Sequence, residues 1–162
     1  MPFIAQVIFW PDGLAEVIKD LRKARRRIAF TNGCFDLLHL GHVQSLVFAR
    51  SLADVLVVAV NDDASVRRLK GSMRPVIPLA DRAAMLAALR VVDFVVAFSG
   101  DTATDVVACV APDVYVKGGN YDVANIPEGR LVLQQGGSVA SAPLVEGIST
   151  TMMLERLQRR ES

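Results

Sequence analysis

The sequence predicts an α/β fold: a single Rossmann-like domain with a mostly parallel, five-stranded sheet and helices on both faces. Three observations carry this expectation. Short β-branched runs such as Val55–Val60 and Phe94–Phe98 are continuously apolar, as in strands buried on both faces of a parallel sheet. These runs alternate with segments of helical periodicity, the pattern of repeated βα units. At 162 residues, 52% hydrophobic and 22% charged, the chain is long enough for one domain with its own core.

The elements follow in order. Residues 1–10 read as an apolar extension without assigned structure. Leu14, Val17, Ile18 and Leu21 have helical spacing, which predicts a helix over 13–26. Residues 1–26 are therefore set apart from a main domain over 27–162. Arg27–Thr31 is the first predicted strand, and Gly41–Leu52 the helix after it. Val55–Val60 is the second strand. Asn61-Asp62-Asp63 then turns the chain and caps a short helix to Leu69. Residues 70–75 read as a basic loop. A helix over 81–89 precedes the strand 94–98, and Asp101 or Thr102 caps a helix running through Cys109. Strand 114–117, helix 131–135, strand 138–142 and a terminal helix over 150–160 complete the pattern.

Composition narrows the function. A net charge of +1 gives no field for nucleic acid. The one basic block, Arg22 to Arg27, reads as a solvated helix end. Cys34 and Cys109 are too few for a disulfide framework or a zinc site. Free thiols and a start without a basic, apolar leader predict a cytoplasmic protein. The apolar runs are too short to span a membrane.

Both histidines fall within one run, Thr31-Asn32-Gly33-Cys34-Phe35-Asp36-Leu37-Leu38-His39-Leu40-Gly41-His42. A glycine-bearing loop between a strand and a helix start is an anion site, because unpaired N–H groups and the helix dipole face the ligand. Two imidazoles there point to phosphate, and Gly41 lets phosphate approach the backbone. A metal pair or two capping histidines are the other readings, and for a metal pair only Asp36 offers a third ligand. Asp36 orients a ring, orders the loop or binds a substrate hydroxyl. Lys70 and Arg74 sit on the basic loop, which either closes over a triphosphate or is simply solvated. Lys117-Gly118-Gly119 ends a strand and suits a sugar phosphate, or is a plain turn. Gly147-Ile148-Ser149-Thr150-Thr151 precedes the last helix as a cap or a second phosphate cradle. Neither a GxGxxG fingerprint nor a GxxxxGK[ST] loop is present, which argues against a dinucleotide oxidoreductase or a P-loop kinase.

The run TNGCFDLLHLGH, with GISTT near the end, resembles the HxGH nucleotidyltransferase superfamily. VNDDASVRRLKGSMRPV, VDFVVAF and PDVYVKGGNY resemble, within it, the D-glycero-D-manno-heptose 1-phosphate adenylyltransferases. The resemblance spans about residues 27–157 and implies the stand-alone transferase, without the sugar kinase often fused to it.

That resemblance implies catalytic roles for His39, His42 and Lys70. It implies nucleotide contacts from Thr31, Asn32, Gly33, Phe35 and Gly41, and from Gly147, Ser149, Thr150 and Thr151. Asp36, Asn61, Arg74, Lys117 and Gly118 are implied for the sugar phosphate, with Asn32 beside them. The implied substrates are ATP and a sugar 1-phosphate. Mg²⁺ is implied as a cofactor bound mainly through substrate phosphates, with no metal site on the protein. The apolar N-terminal extension adds the expectation of a homodimer.

The chain departs from the family pattern at Asn120, where Asp is usual, at Asp101-Thr102-Ala103 in place of DTP, and at Ser45, where an aromatic residue is common. A cytidylyltransferase for glycerol 3-phosphate is the nearest rival, but its branch has arginine where Leu144 stands. A non-catalytic nucleotide sensor is the rival from another class, and it need not keep the histidines, Lys70 and the hydroxyl triplet.

Overall fold

The computed structural model describes residues 4–119, 122–145 and 147–158, apart from the side chains of 157 and 158. Asn120 and Tyr121 of the KGGNY run, and the end of the helix expected over 150–160, lie outside the described residues.

Among the described residues the sheet has six strands in the order β1-β4-β3-β2-β5-β6, all paired in parallel. They are β1 (Gln6–Phe9), β2 (Ile28–Gly33), β3 (Val55–Asn61), β4 (Phe94–Phe98), β5 (Val114–Gly118) and β6 (Ser138–Ala142). The expectation of five strands is therefore corrected. The sixth is β1, from the apolar extension, which pairs with β4 from Gln6↔Phe94 to Phe9↔Ala97. Its four residues are too short for periodicity to reveal, and only the free edge of β4 gives them a ladder. Ile8, Leu14 and Ile18 are buried in the same cluster as Ile28 and Phe30. Residues 6–23 thus share the sheet and core of the chain that follows, rather than standing outside it.

The helices are α1 (Leu14–Lys23), α2 (Leu40–Ser51), α3 (Asp63–Lys70), α4 (Leu79–Ala87), α5 (Thr104–Val110), α6 (Pro127–Gln134) and α7 (Thr150–Gln158). α6 begins four residues earlier than the pattern suggests, because Pro127 occupies its first turn, where a missing N–H costs nothing. Strand alternation sorts the core into two layers. Val55, Val57 and Ala59 pack with α1, α5 and α6, while Leu56, Val58 and Val60 pack with α2 and α4.

From β2 the chain runs to β3 and β4 on one side of the sheet, and later to β5 and β6 on the other. Strand order therefore reverses between β2 and β5, where open α/β sheets bind ligands. β2 pairs with β3 over six positions but with β5 only at Ala29↔Val114 and Phe30↔Tyr115. Beyond those pairs the two strands part, and a cleft opens at their carboxyl ends. Among the described residues, no helix is long and apolar enough to cross a membrane.

Candidate active site

A cavity of about 880 Å³ occupies that cleft. His39 is the N-cap of α2, and its Nδ1 accepts a hydrogen bond from Gly41 N at 3.1 Å. The proton of the neutral ring is thereby left on Nε2, the nitrogen free to donate to a ligand. The His42 ring stacks on His39 with centroids 3.9 Å apart, and Phe35 closes the other side at 5.2 Å. A Cβ at position 41 would lie 3.0 Å from the His39 ring, so the ring would have to shift by a few tenths of an ångström to admit a side chain there.

Burial lowers the His39 pKa. Burial, then the charge of His39, pushes His42 down to about 4, with only the Leu37 backbone pulling the other way. Both rings are therefore neutral at pH 7. His42 Nδ1 is buried with no partner at full hydrogen-bond geometry, and the Leu37 backbone acts on the ring as a hydrogen-bond acceptor.

The second wall comes from the start of α7. Ser149 Oγ accepts from Met152 N at 3.2 Å and caps the helix. Thr150 Oγ1 donates to Leu37 O at 3.5 Å, which ties α7 to the histidine loop. The amino ends of α2 and α7 thus face one space, with Thr150 and Thr151 lining it. This is a double positive end suited to a polyphosphate. Gly147, expected in this wall, does not line the cavity. Its φ of 74° supplies the left-handed turn that brings Ser149 into place.

Lys70 ends α3 at the rim, exposed, and close enough for its charge to act on Cys34 and Lys117. Arg74, from the same loop, is salt-bridged to Asp36. Asp36 also accepts from Val76 N at 2.8 Å and Ile77 N at 2.9 Å. Burial pushes its carboxyl up, but these three donors outweigh it and hold it below the usual range. Both residues line the cavity, yet the carboxylate is spent on pinning the 70–78 loop. Asn61 likewise lines the cavity while its amide donates to Ser65 Oγ and Gly100 O.

The third wall is at the split between β2 and β5. Lys117 Nζ donates to Asn32 O at 3.1 Å and Asn32 Oδ1 at 3.2 Å, bridging the strands where their ladder has ended. Burial lowers its pKa, the nearby Glu128 opposes this, and Lys70 adds to the lowering. Gly118 has a packing reason of its own: a Cβ there would lie 2.7 Å from Ser45 Oγ. Thr31, Asn32 and Gly33 form the cavity floor.

Sequence reasoning missed two groups. Arg82 is fully buried and donates to Cys34 O, Asn61 O, Ile77 O and Asp63 Oδ1, at 2.6–2.9 Å. It joins the histidine loop, the end of β3, the 70–78 loop and the start of α3. The signal was its spacing with Leu79, Ala83 and Leu86, which puts an arginine on the apolar face of α4. Glu128, in the first turn of α6, is buried and lines the cavity. Pro127 marks that helix start, but nothing local says that the residue after it faces the cavity.

A family profile described as Cytidylyltransferase-like matches residues 30–156. The chain is 53% identical over 148 residues to "Bifunctional protein HldE" of Halorhodospira halophila, covering 91% of this chain and 31% of that protein. It is 54% identical over 146 residues to the protein of the same name from Methylococcus capsulatus, covering 90% and 31%. The chain thus spans about a third of the length of these relatives. Among solved structures, it resembles the lipopolysaccharide core biosynthesis protein of Thermoplasma volcanium, with a TM-score of 0.63, 27% identity, and coverage of 75% of this chain and 99% of that one. With the paired histidines at a helix start and the switch-point cavity now matched by a profile over residues 30–156, the chain belongs to the cytidylyltransferase-like family.

Proposed function

We propose that the chain moves AMP from ATP to the anomeric phosphate of a heptose 1-phosphate, giving ADP-heptose and pyrophosphate. The observation that carries this reading is one cavity with two ends. The stacked histidines and the amino ends of α2 and α7 form one end, and Lys117 with Asn32 forms the other. The arrangement suits a triphosphate beside a second, smaller phosphate.

A sugar phosphate oxygen attacks the α-phosphorus in line, the bond from that phosphorus to the β-bridging oxygen breaks, and pyrophosphate leaves. The nucleophile is already ionised at pH 7, so the protein needs no general base. It supplies position and charge stabilisation. His39 donates from Nε2 to a phosphate oxygen, with His42 beside it. Lys70 closes on the triphosphate from the rim, and Ser149, Thr150 and Thr151 hold its far end. Lys117 meets the acceptor phosphate. Asp36, Asn61 and Arg74 shape the acceptor end, Asp36 by anchoring the loop that carries Arg74.

Mg²⁺ would be carried on the phosphates. Asp36, Asp101 and Glu128 line the cavity, but each already accepts hydrogen bonds from the protein. When bound, the ion neutralises phosphate charge.

Leu144 lines the cavity as an exposed apolar side chain, where the glycerol 3-phosphate branch has arginine. This favours the sugar branch and ATP. The lipopolysaccharide role named for the Thermoplasma volcanium structure points the same way. We also place the protein in the cytoplasm, and read the free edge of β1, with Phe9 61% exposed, as support for a homodimer that sedimentation velocity would test.

Pyrophosphate release with ATP and CTP, each against heptose 1-phosphate and glycerol 3-phosphate, tests the reaction. ATP with heptose 1-phosphate should be the fastest pair. A preference for CTP with glycerol 3-phosphate would move the chain to the rival branch, and no release with any pair would leave a sensor.

A further inference from the structure

We infer that Glu128 is a positioning residue: through Asn32 it fixes the Lys117 ammonium at the acceptor end of the cavity and supplies its counter-charge. The inference rests on the reading above, in which Lys117 serves the acceptor.

The geometry is a short chain of hydrogen bonds. Glu128 Oε1 accepts from Ala103 N at 2.8 Å and from Asn32 Nδ2 at 3.4 Å. The Asn32 amide is thereby oriented, its NH₂ toward the carboxylate and its oxygen away from it. That oxygen accepts from Tyr115 OH at 2.6 Å and from Lys117 Nζ at 3.2 Å. Glu128 is 6% exposed, a depth at which a carboxylate is retained only with partners.

Three groups act on the Lys117 ammonium: Glu128 from α6, Cys34 from the loop after β2, and Lys70 from the end of α3, while Tyr115, from its own strand, shares the Asn32 oxygen with it. Lys70 repels it. Cys34 attracts it only as a thiolate, and burial pushes that thiol up, so it is neutral at pH 7. Glu128 is thus the standing negative charge among them. It acts through Asn32, and a ligand at Lys117 need not touch it.

A structural role alone would be to hold Ala103 N, and a glutamine oxygen does that equally well. Glu128→Gln therefore separates the two roles. With the acceptor limiting, pyrophosphate release should show the alkaline limb of kcat/KM for heptose 1-phosphate moved acid-ward by about one pH unit, the scale of one nearby charge. The KM for ATP and the melting temperature should stay close to wild type. A profile that superimposes on wild type, or a loss equal at every pH, would overturn the inference.

The Lys117 side-chain ¹⁵N resonance, assigned with Lys117→Arg and titrated without any substrate, reads the same ionisation. Glu128→Gln should lower it by about one unit and Glu128→Asp, which keeps the charge, by much less. Each variant decides by itself if the other fails to fold: an unshifted Gln variant, or an Asp variant shifted by a full unit, overturns the inference. Because this titration needs no turnover, a wild-type protein inactive on heptose 1-phosphate would count against the proposed reaction and leave the Glu128 result to stand or fall by itself.

Discussion

At the amino ends of the strands, Asp54, Asp93 and Asp113 each accept a main-chain N–H at or just before the start of a neighbouring strand, from Arg27, Leu56 and Ile28, at 2.7–2.8 Å. Arg50 and Arg22 pair with Asp93 and Asp113. At the carboxyl ends, Asp36 and Glu128 also accept main-chain N–H groups, but they are buried beside a cavity, with a fully buried arginine and a recessed lysine close by. The difference is solvent. Charges at the amino end remain part-exposed, so water screens them and each pair matters little beyond holding strand register. Charges at the carboxyl end have lost their water, so each must be matched by a named donor or acceptor, and removing one partner leaves another unpaired. Only this end leaves a buried nitrogen, His42 Nδ1, with no partner at full hydrogen-bond geometry among the described residues.

The contrast is easiest to break at Arg82. Arg82→Met strands three carbonyls and Asp63, and should lower unfolding free energy by about 3–5 kcal/mol in urea titrations, the scale for breaking a buried pair. A loss under about 1 kcal/mol, the surface scale, would erase the distinction between the ends.

His39→Ala and His42→Ala should each cut turnover by roughly 10²–10³-fold, the cost of one transition-state donor, with melting temperature nearly kept. Near-normal turnover in either variant would remove the histidines from the mechanism.

The same stack gives the fold a pH signature. His42 titrates near 4 when folded, below its usual 6.5, so between those values the unfolded chain binds more protons. Its contribution is full above about pH 6.5 and is lost as pH falls toward 4. Asp36 and Asp113, both held below the usual 3.8, lose theirs only at still lower pH. Thermal melts from pH 7 to 4 should decline in wild type and be flatter in His42→Asn. Parallel curves would mean that burial does not disfavour the charged ring.

Lys117→Ala should weaken heptose 1-phosphate by about 1.5–3 kcal/mol, the scale of a charge-assisted hydrogen bond, and leave ATP affinity nearly unchanged in separate calorimetric titrations. Loss of ATP binding instead would put this lysine at the nucleotide end. The smallest effect belongs to the amino end: Arg22→Met should cost less than about 1 kcal/mol in urea, with turnover untouched.

Much of this was legible in the chain alone. β-branched runs buried on both faces point to parallel strands covered by helices, and two histidines at a helix start after a strand then lie at the carboxyl edge of such a sheet, so the fold class and the place of the histidines followed from local pattern. Residues that act through distant partners were not legible. β1 is a strand only because β4 has a free edge, Asp36 anchors a loop that begins 34 residues later at Lys70, and Glu128 reaches Asn32 across 96 positions. Periodicity reports which face a residue is on. Only the packed sheet decides what waits there, because burial removes water, and a buried polar group then takes whichever partner the topology brings within hydrogen-bond reach.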